Sequence, residues 1–269
     1  MHLLSAAWSL IGSLAYLGAV ANAAGVLDFG IVFPRPNETY APTDKFPVVF
    51  ALQNAALAKN LGLVINTFVR SGPDLLSGLD GADAKHDLKS ANFTTSEPYF
   101  VYHFLNITGE GLYELFSTTS WARCDERDNE VIITRNSSNL LARFEIKKGA
   151  QMVDLVAATA DNTKTCPTQG FALNVTDETR EAPEPWDYRP SGTCAVLNSS
   201  SPTPTANPCR VKIDSAASES MYAALHTALC KGLNPPADCP KETSAAQQVA
   251  VASIVSIAAA LGAVGFLLA

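Results

Sequence analysis

"LLARFEIK", residues Leu140 to Lys147, alternates without a break: Leu140, Ala142, Phe144 and Ile146 fall on one side, Leu141, Arg143, Glu145 and Lys147 mostly polar on the other. Successive side chains of a strand point to opposite faces, so this pattern is a strand with one face in a core and one toward water. Outward from it, runs rich in Val, Ile, Phe, Tyr and Thr recur between turn signals. They are "VLDFGIVF" (Val26 to Phe33), "FPVVFALQN" (Phe46 to Asn54), "LGLVINTFVR" (Leu61 to Arg70), "YFVYHFLNIT" (Tyr99 to Thr108), "GLYELFSTTSWARC" (Gly111 to Cys124), "QMVDLVAAT" (Gln151 to Thr159) and "FALNVT" (Phe171 to Thr176). Eight short strands with no helical pattern between them exclude a parallel α/β sheet. The expected fold is mainly β: an antiparallel β-sandwich, immunoglobulin-like or related, braced by disulfides.

One helix is expected, in "DSAASESMYAALHTALCKG" (Asp214 to Gly232). Ser215 or Ser218 caps it, Met221, Ala224, Leu225, Ala228 and Leu229 form its apolar stripe, and Gly232 ends it ahead of Pro235 and Pro236. Three polar or proline-rich stretches read as loops: Leu76 to Ser96, Asp177 to Thr193 and Asn198 to Pro208. Within "YFVYHFLNIT", Val101, His103, Leu105 and Ile107 are expected in the core. A glycan on Asn106 would then share its face with Tyr102 and Phe104, as an outward aromatic platform, unless Asn106 lies beyond the strand.

The ends of the sequence differ from its middle, since all charged residues lie between Asp28 and Glu242. Residues 1–23 are an uncharged apolar run closing on the small-residue pattern Ala21, Asn22, Ala23, the layout of a secretory signal peptide. Residues 249–269 are apolar or small and long enough to span a bilayer. Three small residues, Ser244, Ala245 and Ala246, and then two glutamines precede them, which is the order of a glycosylphosphatidylinositol attachment signal. The expected organisation is a signal peptide (1–23), one β-sandwich ectodomain (24–240) with a cysteine-rich part from about 190 to 240, a spacer (241–248) with lipid attachment at Ser244, and a removed hydrophobic signal (249–269). Asn234 is an alternative attachment residue, and a single-pass C-terminal transmembrane helix is the alternative anchor.

The body agrees with export. Sequons occur at Asn37, Asn92, Asn106, Asn136, Asn174 and Asn198, expected as surface N-glycosylation sites. The six cysteines, Cys124, Cys166, Cys194, Cys209, Cys230 and Cys239, are an even set suited to three disulfides in an oxidising compartment. None forms a C-x-x-C pair, so no metal site is expected. Cys124 with Cys166 is the favoured pair, because both adjoin strand-like segments; the other four would staple the C-terminal part, and Cys230 would pin the helix to the body. The formal charge of −7 excludes nucleic acid as a partner.

Signatures of chemistry are sparse. There is no H-E-x-x-H, no G-x-S-x-G elbow and no glycine-rich phosphate loop, and no cofactor is expected. Asp125, Glu126, Asp128 and Glu130 cluster in "CDERDNE", but without calcium-loop spacing they read as a solvated turn between strands. Asp28, Glu114, Glu145 and Asp154 lie in strand-like segments as candidate carboxylates, with nothing to select a pair. Trp186 and Tyr188 sit between prolines, where their rings could stack on a sugar or a protein partner. Trp121, three residues before Cys124, is expected to pack against a disulfide.

The stretch that opens with Phe33, Pro34, Arg35, Asn37, Thr39, Tyr40, Ala41 and Pro42, and continues through Pro47 to Asn54, resembles a family of fungal secreted proteins classed as a domain of unknown function. The resemblance implies a secreted or surface-anchored protein and brings no catalytic residue or cofactor with it. Two functions are therefore carried forward. One is a non-enzymatic cell-surface glycoprotein, lipid-anchored to the membrane, that binds or spaces wall polysaccharide or a surface protein. The other is a wall carbohydrate enzyme, which requires two carboxylates about 5–10 Å apart across a groove.

Overall fold

The computed structural model describes residues 25–72, 77–78, 83–94, 96–161, 163–182, 192–198 and 205–240. They build two facing sheets, as expected for a sandwich. The first contains β1 (Gly25–Phe33), β3 (Thr43–Gln53), β7 (Tyr99–Ile107), β10 (Gly170–Glu181) and β11 (Thr193–Leu197), in the order β11-β10-β1-β3-β7. The second contains β2 (Thr39–Tyr40), β4 (Val64–Ser71), β5 (Ser77–Gly78), β8 (Gly111–Arg127) and β9 (Glu130–Ile146), in the order β2-β9-β8-β4-β5, with β6 (Ala84–Asp87) also paired to β4. Every pairing is antiparallel except β2 with β9.

The two sheets bury their residues differently, and the strand patterns say why. In β9, Leu140, Ala142, Phe144 and Ile146 are buried while Arg143 and Glu145 are exposed, so the alternation of "LLARFEIK" is that of a strand with one wet face. β4 and the first half of β8 alternate likewise, with Ile65, Thr67, Val69, Tyr113, Leu115, Ser117 and Thr119 inward. In β3 the run from Phe46 to Leu52 is buried without alternation, because this strand is covered on both sides. The core is aromatic where the sheets meet. Phe144 of the second sheet stacks on Phe46 of the first at 5.0 Å and on Tyr113 at 5.6 Å between ring centres.

The cover over the first sheet is the C-terminal part of the chain. Gly30 and Gly170 pair across β1 and β10, and a Cβ on either would meet Pro208, at 2.6 and 2.9 Å respectively. Only glycine lets the segment around Pro208 lie directly on that face. Helix α2 (Ser215–Cys230) lies beyond it, with Met221 buried and Tyr222 against Phe104 of β7 at 5.1 Å. Asn106 thus lies inside β7 and shares its outer face with Tyr102 and Phe104, but Phe104 is covered by the helix and forms no open platform.

Several expectations are corrected. Residues 151–159 are not a strand: Asp154 accepts a hydrogen bond from the Ala157 amide and caps a short helix, α1 (Leu155–Thr159). The stretch Leu76 to Ser96 is not all loop, since it supplies β5 and β6, short polar strands on the edge of β4. The stretch Asp177 to Thr193 begins inside β10, which runs on to Glu181. β9 starts ten residues earlier than Leu140, at Glu130, so "CDERDNE" is the tip of a long hairpin. Asp128 and Asn129 turn it with φ of 53° and 66°, as the solvated turn requires. Asp214, rather than Ser215 or Ser218, caps α2 through the Ala217 amide.

The disulfides are Cys124–Cys194, Cys166–Cys209 and Cys230–Cys239, so the favoured Cys124–Cys166 pair is wrong. Cys124 sits far along β8, where the hairpin extends beside β11, and its partner comes from that strand at a Cα separation of 5.6 Å. Proximity of each cysteine to a strand says nothing about which strand ends meet. Cys166–Cys209 fastens the covering segment over the first sheet, while Cys230–Cys239 closes a local loop and does not pin α2 to the body. No described helix is long and apolar enough to cross a membrane. Residues 1–23, Trp186, Tyr188, Ser244 and 249–269 lie outside the described residues.

Candidate functional site

The candidate carboxylates are each occupied locally. Asp28 accepts from the Asn207 amide at 3.2 Å, under the covering segment, where burial raises its pKa. Glu114 takes the Arg143 guanidinium at 2.9 Å, Glu145 accepts from the Thr39 hydroxyl at 3.1 Å, and Asp154 caps α1. Asp28 belongs to the first sheet and Glu114 and Glu145 to the second, and each carboxylate has a structural task.

Arg35, at the centre of the family-like motif, has a structural task as well. It is 4% exposed, and among the described residues no carboxylate lies within salt-bridge distance of it, although Asp161 and Glu38 act on its charge from further away. Its guanidinium donates instead to the carbonyls of Ala158, Pro208, Cys209 and Val211, at 3.2 to 3.4 Å. Tyr40 accepts from the Arg35 amide at 3.0 Å. The planar fork thereby ties β1 to α1 and to the covering segment. A cleft of about 230 Å³ opens beside it, lined by Glu38, Met152, Asp161 and Lys164 among others, with Lys164 paired to Glu38 at 2.9 Å.

His103 is buried in the core, as expected. Its Nδ1 is 3.1 Å from His86 Nε2 and its Nε2 3.5 Å from Thr67 Oγ1, which reaches the Ala84 carbonyl. The chain closes with both rings neutral, each donating from Nε2 and the threonine hydroxyl donating last. Desolvation, aided by the neighbouring His86, pulls the His103 pKa down to about 3, and desolvation lowers that of His86. Ser117 and Thr119, on the same inner face of the second sheet, hold buried hydroxyls with no partner among the described residues. His226 comes close to Cys230 and Cys239, but those sulfurs are bonded to each other and cannot serve as thiolate ligands.

Trp121 stacks on Phe171 at 4.8 Å, while Cys124 and Cys194 belong to a separate small cluster with Ala182. The aromatic feature missed by sequence reasoning lies on the outer face of the second sheet. Phe68 and Phe116 pair across β4 and β8 with ring centres 4.9 Å apart, and Leu141 pairs with Phe116 from β9. All three are half-buried and belong to neither hydrophobic cluster. The Arg70 guanidinium lies 5.0 Å above the Phe68 ring. One step along the strands on one side is the row Arg70, Glu114, Arg143; on the other is Asn66, Thr118, Asn139, with Thr118 donating to Asn139 at 2.9 Å. The alternation of β4, β8 and β9 was the available signal.

The sequons map to other places. Asn106 and Asn174 are on the outer face of the first sheet, Asn198 follows β11, and Asn37 and Asn92 are in connections beside the edges of the second. Asn136, opposite Trp121, points away from the face that carries Ser137 and Asn139. All are exposed except Asn174, which is half-buried, and Asn234 is exposed too. A sequence model of the family described as "Domain of unknown function (DUF7136)" matches residues 22–239. Neither a curated protein nor a solved structure matches the chain.

Proposed function

The chain belongs to the family described as Domain of unknown function (DUF7136), and, since that description assigns no chemistry, we propose from its own residues that it is a surface glycoprotein that recognises or spaces wall components without catalysis. In this reading residues 1–23 direct export, the six sequons carry glycans, and attachment at Ser244 leaves the sandwich lipid-anchored at the outer face of the membrane or in the wall. Three disulfides, with no free cysteine among the described residues, fit an extracellular protein.

The observation that carries the proposal is the distribution of the sequons. They crown one sheet, the edges and the ends, and leave the outer face of the second sheet bare. Glycans there would block contact; their absence leaves a recognition surface. The enzyme alternative loses support because each candidate carboxylate is engaged: Asp154 in a cap, Glu114 in an ion pair, Asp28 with a backbone amide and Glu145 with the Thr39 hydroxyl. The test is to express the full-length protein in eukaryotic cells, map its glycans by mass spectrometry and treat the cells with phosphatidylinositol-specific phospholipase C. Occupied sequons and release by the lipase are expected. A cytosolic, unglycosylated protein, or release of reducing ends from wall polysaccharide, would overturn the reading.

A further inference from the structure

We propose that the end of helix α2 is a redox-gated metal site: once a small thiol has opened Cys230–Cys239, the two thiolates and His226 hold a divalent cation of the zinc kind. The site is independent of what the outer face of the second sheet binds.

Three observations carry it. The first is the donor set. His226 and Cys230 are four residues apart in α2, so they share one face of the helix. The chain after the helix returns Cys239 to the same place, and one donor atom from each of the three residues lies within 4.8 Å of the others. Two thiolates and an imidazole select zinc over magnesium or calcium. The second is distance. With metal–sulfur bonds of about 2.3 Å and a metal–nitrogen bond of about 2.0 Å, a tetrahedral ion holds sulfur and nitrogen about 3.5 Å apart and two sulfurs about 3.8 Å apart. His226 Nδ1 is already 3.8 Å from Cys230 Sγ. Only the two bonded sulfurs are too close, and reduction is the step that parts them. The third is orientation. Both ring nitrogens are 3.8 Å from Cys230 Sγ, and Asp238 decides between them. Its Oδ2 lies 3.2 Å from Nε2, which holds the ring proton there and leaves the Nδ1 lone pair for the ion.

Accessibility singles out this disulfide. Cys124, Cys194, Cys166 and Cys209 are 1–4% exposed, whereas Cys230 and Cys239 are half-buried, and a thiolate must reach a sulfur to attack it. One small thiolate attacks a protein sulfur, forms a mixed disulfide and expels the other sulfur as a thiolate. A second attacks the mixed disulfide, releasing the small disulfide and the second protein thiol. Two electrons thus pass from two small thiols to the protein disulfide, and the cation then replaces the two thiol protons. Solvent takes the fourth position, as in sites with three protein ligands. Cys230 is the last residue of α2, where the negative end of the helix dipole favours a cation. The two thiolates match the ion's charge; of the neighbouring lysines, Lys45 acts on Asp238 and Lys231 caps the helix through its backbone.

The test uses the glycosylated protein expressed in eukaryotic cells, treated with a small thiol that is then removed without oxygen. Cobalt(II) is the probe and zinc the competitor. Mass mapping should find Cys230 and Cys239 reduced and the other two disulfides intact. One cobalt per chain should bind, with thiolate-to-metal charge-transfer absorption and the visible bands of a four-coordinate ion, and zinc should erase both. The oxidised protein should show neither. Cys230→Ser with Cys239→Ser should abolish the signal. Asp238→Asn should weaken cobalt binding about tenfold and His226→Ala at least as much, with circular dichroism showing every variant folded. Absence of the charge-transfer band, a signal indifferent to His226→Ala, or reduction of a buried disulfide ahead of this one would overturn the proposal.

Discussion

Replacing His103 with leucine should flatten the dependence of stability on pH between 7 and 5. The native ring is neutral and buried, held between His86 and Thr67, and its pKa falls to about 3, whereas in the unfolded chain it is near 6.5. In this window the unfolded state binds a proton that the folded state refuses, so unfolding becomes easier as the pH drops. Integrating from pH 7 to pH 5 gives a loss of about 2 kcal/mol from this one group. His86, whose pKa burial also lowers, adds a further loss of the same sign. Asp28 acts oppositely: its raised pKa adds stability as the pH falls through the folded-state value, but it is common to both proteins and cancels in their difference. Urea unfolding of wild type and His103→Leu at half-unit steps of pH is the assay. The wild-type curve should fall more steeply, by about 2 kcal/mol over the window. Parallel curves would refute the claim that His103 is held neutral in the core.

Arg35→Met should cost about 3–5 kcal/mol in urea unfolding, because it strips the shared donor from three buried carbonyls and the half-buried one of Ala158, and Arg35→Lys should recover little, lacking the planar fork; a loss below 1 kcal/mol would deny the arginine its clamping role. Thr119→Val removes a buried hydroxyl with no partner among the described residues at nearly constant volume, and should leave stability unchanged or raise it by about 1 kcal/mol, measured as a shift in melting temperature. Breaking Cys124–Cys194, which spans 70 residues, should cost about 4 kcal/mol, and breaking Cys230–Cys239, which spans 9, nearer 2.5 kcal/mol, as read from the midpoints of serine double variants.

Much of the sandwich was legible because local alternation and burial are one fact seen twice. "LLARFEIK" has one wet face and β3 has none, and both read correctly as strands. What escaped depends on partners distant in the chain. β5 and β6 are polar edge strands whose pairing is defined by β4, and Cys124 finds Cys194 only because two strand ends converge. Gly30 and Gly170 carry no mark in the sequence of the proline that will lie on them. The candidate site was half legible. The alternation of β4, β8 and β9 contains Phe68, Phe116 and Leu141, but their meeting on one face needs the register. Trp186 and Tyr188, the stacking residues expected from a proline-rich loop, lie outside the described residues, while the paired rings belong to strands.

The most direct measurement is hydroxyl-radical footprinting of the glycosylated protein, free and bound to isolated wall material, read residue by residue by mass spectrometry. Protection should concentrate on Phe68, Phe116 and Leu141, with Tyr222 and Met152 reacting equally in both states. Protection of Tyr222 and the first sheet, or none anywhere, would contradict the assignment of the bare second-sheet face as the recognition surface.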